Sequence, residues 1–213
     1  FLEIMKWFVL KKGLISYSPA HVGAFLKSSP EIDLPDLQFV FTPASYTEGM
    51  IGKLQNIPGI TCGVWQSRPQ SRGYVRALSS CIKDAPLIQP NYLKETIDQD
   101  VLIQGVKICR DLLKTSNMKK ISIKETLPGE NIKTDSEILN FIKNNGATVY
   151  HAIGSCRMGI DKDAVVDANL KLNGVENLRV ADASIMPTMP SGNTNAATLM
   201  IAEKASDLIK KDM

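Results

Sequence analysis

The sequence predicts an α+β fold: a largely antiparallel (mixed) sheet with helices on one face over about residues 14–153, then a strand-helix return segment to the C-terminus. Three observations lead there. Short, aromatic-rich apolar runs end at prolines, two helical patterns carry capping residues at their starts, and a Pro- and Gly-bearing loop near residue 190 runs directly into a last amphipathic stretch. The 213 residues are 44% hydrophobic and 22% charged, and a chain of this length buries roughly 70% of its unfolded surface on folding.

Residues 1–12 place Leu2, Met5, Phe8 and Val9 at helical spacing, with Gly13 as the stop. The stretch 16–30 is mixed, and Pro30 and Pro35 frame a turn. LQFVFTP (37–43) is brief and aromatic-rich, which fits a buried strand better than a helix. After a loop from Thr47 to Gly59, ITCGVWQS (60–67) and RGYVRAL (72–78) read as two strands paired antiparallel around Pro69. Leu102, Val106, Cys109 and Leu113 make a helical stripe, and Thr96, Asp98 and Asp100 suit its N-terminus. Thr134 and Glu137 form a capping box for a second helix with Ile138, Phe141 and Ile142 inward and Gly146 at its end. TVYHAI (148–153) reads as extended, Asn173-Gly174 as a turn, and NLRVADAS as a short strand ending in Asp182. The last helix turns Ile201, Ala205 and Leu208 inward and Glu203, Lys204, Asp207 and Lys211 outward.

Charge and composition exclude several classes of partner. A net charge of +3 with scattered basic residues gives no nucleic-acid footprint. No apolar run approaches the ~18 residues of a membrane-spanning helix, so no transmembrane segment is expected, and a cytoplasmic location is, with peripheral membrane attachment left open. Cys62, Cys81, Cys109 and Cys156 contain no CxxC pair and read as buried free thiols. With only His21 and His151, a three-histidine metal site cannot be built, and no metal is expected. None of the 14 glycines has another two positions away, so a complete dinucleotide fingerprint is absent.

Two places remain for chemistry. His151 follows an apolar run and precedes a Gly-Ser-Cys turn, where a side chain is delivered into a cleft, although a hydrogen-bonded core histidine would look the same. SGNTNAAT (191–198) sets Asn193 and Asn195 beside a glycine at a helix start, a place for an anionic group or for simple N-capping. His21 has no companion motif and reads as structural or surface.

YHAIGSCRMG (150–159), VVDANLKLNGVENLRVADASIMPTMPSGNTNAATLMIAEKASDLI (165–209) and RPQSRGYVRA (68–77) occur together and in order. With LIQPNYL (87–93) and DLQFVF (36–41) they resemble the C-terminal part of the glucose-methanol-choline (GMC) oxidoreductases, FAD-dependent alcohol oxidases and dehydrogenases. The resemblance implies that residues 1–153 are a substrate-binding domain truncated at its N-terminus, and that 154–213 complete an FAD-binding domain. The glycine-rich ADP-binding part, an N-terminal FAD-binding domain, would then be missing. The resemblance also implies FAD as cofactor, a small alcohol as substrate and hydride transfer to flavin N5.

It assigns the histidine of the HxxGxxxMG segment, His151, as catalytic base and Asn193 as its catalytic partner. Asp182 and Ala183 are implied to lie by the ribityl-phosphate region, and Asn193, Thr194 and Asn195 by the pyrimidine edge. An Asn at position 193 brings the chain nearest to choline-type and related alcohol dehydrogenases. Arg68 and Arg72 read as structural rather than substrate-contacting, and Cys156, with no adjacent base, is not read as a nucleophile. The electron acceptor is not legible from spacing. The alternative expectation is an incomplete fragment, inactive alone and at most a binding module, with apolar surface exposed where the missing domain would pack.

Overall fold

Strand β2 (Leu37–Thr42) runs between β1 (Val22–Leu26) and β3 (Thr61–Gln66) in a three-stranded antiparallel sheet. This computed structural model describes residues 2–13, 16–18, 20–47 and 53–212. The chain forms two units, Phe1–Gln66 with Asp100–Ala147 and Ser67–Gln99 with Thr148–Met213. Each unit contains its own apolar cluster.

In the first unit the aromatic-rich run is the central strand, because Leu37 and Phe39 are fully buried and both edges of β2 are paired. Buried Gln38 is matched by Trp65, whose Nε1 donates to its Oε1 at 3.1 Å. Helix α1 (Leu2–Leu10) forms where the spacing predicts it, and Gly13 beyond its end takes φ +108°. Its apolar stripe of Leu2, Met5, Phe8 and Val9 is nevertheless exposed.

Helix α2 (Thr96–Leu113) buries Cys109 of the predicted stripe but shifts the rest of its inward row. Val101 and Cys109 are buried with β2, while Leu102, Val106 and Leu113 are only half-buried. Gly105 explains the offset. A Cβ there would stand 2.8 Å from Val64 Cγ2 and 3.2 Å from Leu37 Cδ2, so the helix approaches the sheet along its side-chain-free row. Helix α3 (Asp135–Asn145) carries both halves of the Thr134/Glu137 capping box, with Ile138 fully buried.

In the second unit β4 (Tyr74–Arg76) pairs antiparallel with β5 (Leu87–Gln89). The expected hairpin of 60–67 with 72–78 is therefore corrected: β3 pairs with β2, and β4 with β5. The connection does not turn as a hairpin because Gln70 N and Ser71 N donate to the Asp98 carboxylate instead of to a facing strand. TVYHAI is likewise not a strand. Tyr150 takes φ +62°, a left-handed step that breaks an extended run. NLRVADAS reduces to one bridge, Lys171 with Arg179, followed by a 3-10 turn at Ala183–Ile185. The Asn173-Gly174 turn is present, with Gly174 at φ +80°. Helix α4 (Asn195–Asp212) buries Ile201 and Ala205 and keeps Glu203, Lys204, Asp207 and Lys211 exposed.

All four cysteines are free, but only Cys109 is buried; Cys62 and Cys156 are half-buried and Cys81 is exposed. In the predicted loop 47–59, residues 48–52 lie outside the described residues, and Tyr46 bridges Leu54 across it. Among the described residues no helix is long and apolar enough to cross a membrane.

The close approach at Gly105 makes a direct test. Gly105→Val forces a branched side chain against Val64 and Leu37, and overpacking of this kind costs about 1–3 kcal/mol. The expected result is a lower urea midpoint with an unchanged denaturant slope; a midpoint equal to the parent's would contradict the packing.

Candidate active site

The site is built on the apolar cluster of the second unit. Ile201 and Ala205 of α4 pack with Val166, Leu170, Ile185 and Met186, and this fixes where the N-terminal end of α4 lies. Thr194 immediately precedes the helix and is buried. Its carbonyl oxygen accepts from both the backbone N and the Oγ1 of Thr198, each at 2.9 Å, which closes the first helical turn.

A strap from the 150s approaches the same cluster. Ile153 packs against it, and Gly154 follows at φ +80°, where an added Cβ would meet Met186 O at 3.3 Å. Beyond the glycine, Cys156 N donates to Ser184 O at 3.0 Å and Met158 N to Ile185 O at 2.8 Å. The strap is thus tied down by an apolar anchor, a left-handed step and two backbone hydrogen bonds. Both halves of the site are positioned by backbone and core before any polar side chain meets.

The polar side chains then meet directly. His151 Nε2 lies 2.9 Å from Asn193 Nδ2, and His151 Nδ1 lies 3.0 Å from Thr194 Oγ1. His151 is half-buried, Asn193 is exposed, and the Thr194 contact is on the buried side. An imidazole nitrogen and an amide therefore share an edge open to a small molecule, a pair able to exchange a proton and to hydrogen-bond an oxygen.

The remaining predicted site residues are placed around the same cluster. Ala183 packs against it and opens the 3-10 turn that Asp182 caps, with Asp182 Oδ1 accepting from Ser184 N at 2.7 Å. Hydrogen bonds from the Ser184 side chain and backbone hold the Asp182 carboxyl below the usual carboxylate range. Asn195 is exposed as the first residue of α4. Cys156 contributes backbone to the strap. Arg72 Nη1 donates to Pro69 O and Ser71 O at 2.9 and 3.1 Å, locking its own turn.

Three contacts escaped the sequence reading. The Thr194 hydroxyl engages His151, Arg68 Nη1 donates to Ser191 Oγ at 2.7 Å, and Asp98 is a buried hub rather than a generic helix-start acid. Asp98 accepts from Gln70 N at 2.8 Å, from Ser71 N at 2.7 Å and from Ser71 Oγ. Adjacency to Asn193 was the only signal available for Thr194, and Arg68 and Ser191 are 123 residues apart. Among the described residues no group of three or more His, Cys, Asp or Glu side chains is placed to hold a metal ion.

His151, Asn193, Thr194, Asn195, Asp182 and Ala183 all lie within 69–202, the stretch that matches the GMC oxidoreductase family. The chain belongs to this family. Among its GMC relatives, alcohol dehydrogenase (acceptor) of Pseudomonas putida is 42% identical over 205 residues, 95% of this chain and 37% of that protein. Human mitochondrial choline dehydrogenase is 40% identical over 191 residues, 88% of this chain and 32% of that protein. A crystallised formate oxidase of Aspergillus oryzae, studied for its FAD modification, shares the fold at a TM-score of 0.84 and 22% identity, covering 99% of this chain and 41% of its own. The chain thus spans between 32% and 41% of the length of these three proteins.

Asp98 supports the segment from which Arg68 reaches Ser191. Asp98→Ala takes the buried carboxylate acceptor away from the Gln70 and Ser71 N–H groups, and a hydrogen bond to a charged group nets about 1.5–3 kcal/mol. The expected outcome is a lower urea midpoint together with faster proteolysis in residues 67–72; protection of that segment at the parent level would contradict the hub.

Proposed function

We propose that a flavin-loaded protein containing this chain oxidises an alcohol to an aldehyde, with His151 as base and Asn193 as hydrogen-bond donor to the alcohol oxygen. The observation that supports the reading is the 2.9 Å contact of Asn193 Nδ2 with His151 Nε2 at an open edge. A substrate hydroxyl placed there exchanges that direct contact for bonds to both side chains. Its proton passes to Nε2, and the amide steadies the negative charge that grows on oxygen as hydride leaves carbon. A donor aimed at such an oxyanion contributes about 2.7–4 kcal/mol. Loss of a proton and a hydride together yields a neutral carbonyl.

The residues present suit FAD. The first-turn N–H groups of a helix have no intrahelical acceptor and carry the positive end of its dipole. At α4 they are joined by the exposed amides of Asn193 and Asn195, a donor set that complements the carbonyl-bearing pyrimidine edge of the flavin ring. In this reading residues 193–195 hold that edge, and Asp182 and Ala183 serve the ribityl-phosphate region. When bound, FAD supplies the hydride acceptor, its N5. Residues 1–153 would then belong to substrate binding, and 154–213 would complete the flavin-binding domain. The alcohol and choline dehydrogenase names of the relatives favour a small alcohol as substrate.

The test is anaerobic bleaching of the flavin by primary alcohols. His151→Ala is expected to slow reduction by about 10²–10⁴-fold, the usual contribution of a positioned base. Reduction at the parent rate would remove His151 from the chemistry.

A further inference from the structure

We infer that Thr194 is a positioning residue that holds His151 in the Nδ1–H tautomer and so leaves Nε2 as the nitrogen with a free lone pair. The consequence for catalysis rests on the reading of His151 as base; the tautomer itself rests only on geometry.

The argument is one of donors and acceptors. A neutral imidazole has one N–H and one lone pair, and the partner of each nitrogen decides which is which. Asn193 presents its Nδ2, which can only donate, to Nε2 at 2.9 Å. A hydrogen on Nε2 would set two donors head to head, so Nε2 accepts and the ring proton sits on Nδ1. Nδ1 then needs an acceptor, and Thr194 Oγ1 is 3.0 Å away.

The two contacts differ in permanence. Asn193 is exposed, and a substrate oxygen displaces its bond to the ring. Thr194 is 8% exposed, its β-branched side chain is stiff, and its carbonyl is held twice by Thr198. The buried hydroxyl is therefore the contact that persists when substrate arrives, and it keeps the ring from turning or exchanging tautomers at that moment. Valine matches threonine in shape but offers no acceptor, which would leave a part-buried N–H unpaired; the exposed Asn193 amide then turns its Oδ1 toward the ring, and the proton moves to Nε2.

The experiment uses a flavin-loaded protein containing this chain, with histidine labelled by ¹⁵N in the ring. The chain has two histidines, and any signal lost in His151→Asn is that of residue 151. The expected spectrum of the parent shows the hydrogen on Nδ1. Thr194→Val is expected to move it to Nε2 and to slow flavin reduction about 10–100-fold, by analogy with the loss of the hydrogen-bonded partner behind a metal-ligating histidine. Thr194→Ser, which keeps the hydroxyl, is expected to restore both the tautomer and the rate. A Thr194→Val protein with the hydrogen still on Nδ1, or a Thr194→Ser protein as impaired as the valine variant, would overturn the inference. If His151→Ala reduced flavin at the parent rate, the base assignment alone would fall, because the tautomer measurement does not depend on it.

Discussion

The site depends on the packing of α4 against the cluster of Val166, Leu170, Ile185 and Met186. Ile201 and Ala205 lie about two to three turns beyond Thr194, so burying them fixes the helix start as one end of a rigid rod. A buried aliphatic side chain is worth roughly 1.5–3 kcal/mol, whereas each hydrogen bond to the imidazole nets only about 0.5–1.5 kcal/mol. Position is therefore set by the core and orientation by the polar contacts. The same cluster receives Ile153, so the loop bearing His151 and the helix bearing Asn193 and Thr194 are referenced to one set of apolar side chains.

The loop before α4 is held at more than one point. Arg68 bonds Ser191, and His151 meets Asn193 and Thr194 only two and three residues later. Asp98 in turn fixes Gln70 and Ser71, next to Arg68 in the chain. The chain of support runs from a buried carboxylate through a guanidinium to the loop that carries the amide. A prolyl, glycine-bearing loop is otherwise the segment least able to hold a side chain still, and these contacts replace the rigidity that a helix or strand would supply.

Local features were legible in the residues, and non-local ones were not. The capping box of α3, the inward face of α4 and the central strand β2 all follow from spacing within a dozen residues. Strand partners do not. Nothing in ITCGVWQS says that it pairs with LQFVFT rather than with RGYVRAL, because any two alternating runs offer the same ladder of N–H and C=O groups. Strand β1, VGAFL, was hidden by its small residues, and the buried row of α2 was displaced by Gly105, an effect visible only against Val64 and Leu37. His151 and Asn193 were singled out by local texture, but their convergence over 42 residues came from the family resemblance, and the geometry then showed them in contact. Thr194 had been placed by the flavin; its hydroxyl on His151 required the fold.

A hydroxyl at Nδ1 differs in kind from the carboxylate that often orients a histidine. A carboxylate aligns the ring and also stabilises the imidazolium by charge, so it favours retention of a proton once taken. A hydroxyl aligns the ring and adds no charge. Asn193, too, is neutral, which leaves the positive end of α4 as the nearby fixed polarity supplied by this loop. In the proposed reading, such an arrangement would favour negative charge developing on an alcohol oxygen and on a bound acceptor, while leaving the imidazole free to pass its proton on. A carboxylate in the place of Thr194 would put a negative charge at the positive end of α4, and the chain carries there instead a residue that can give the ring its direction alone.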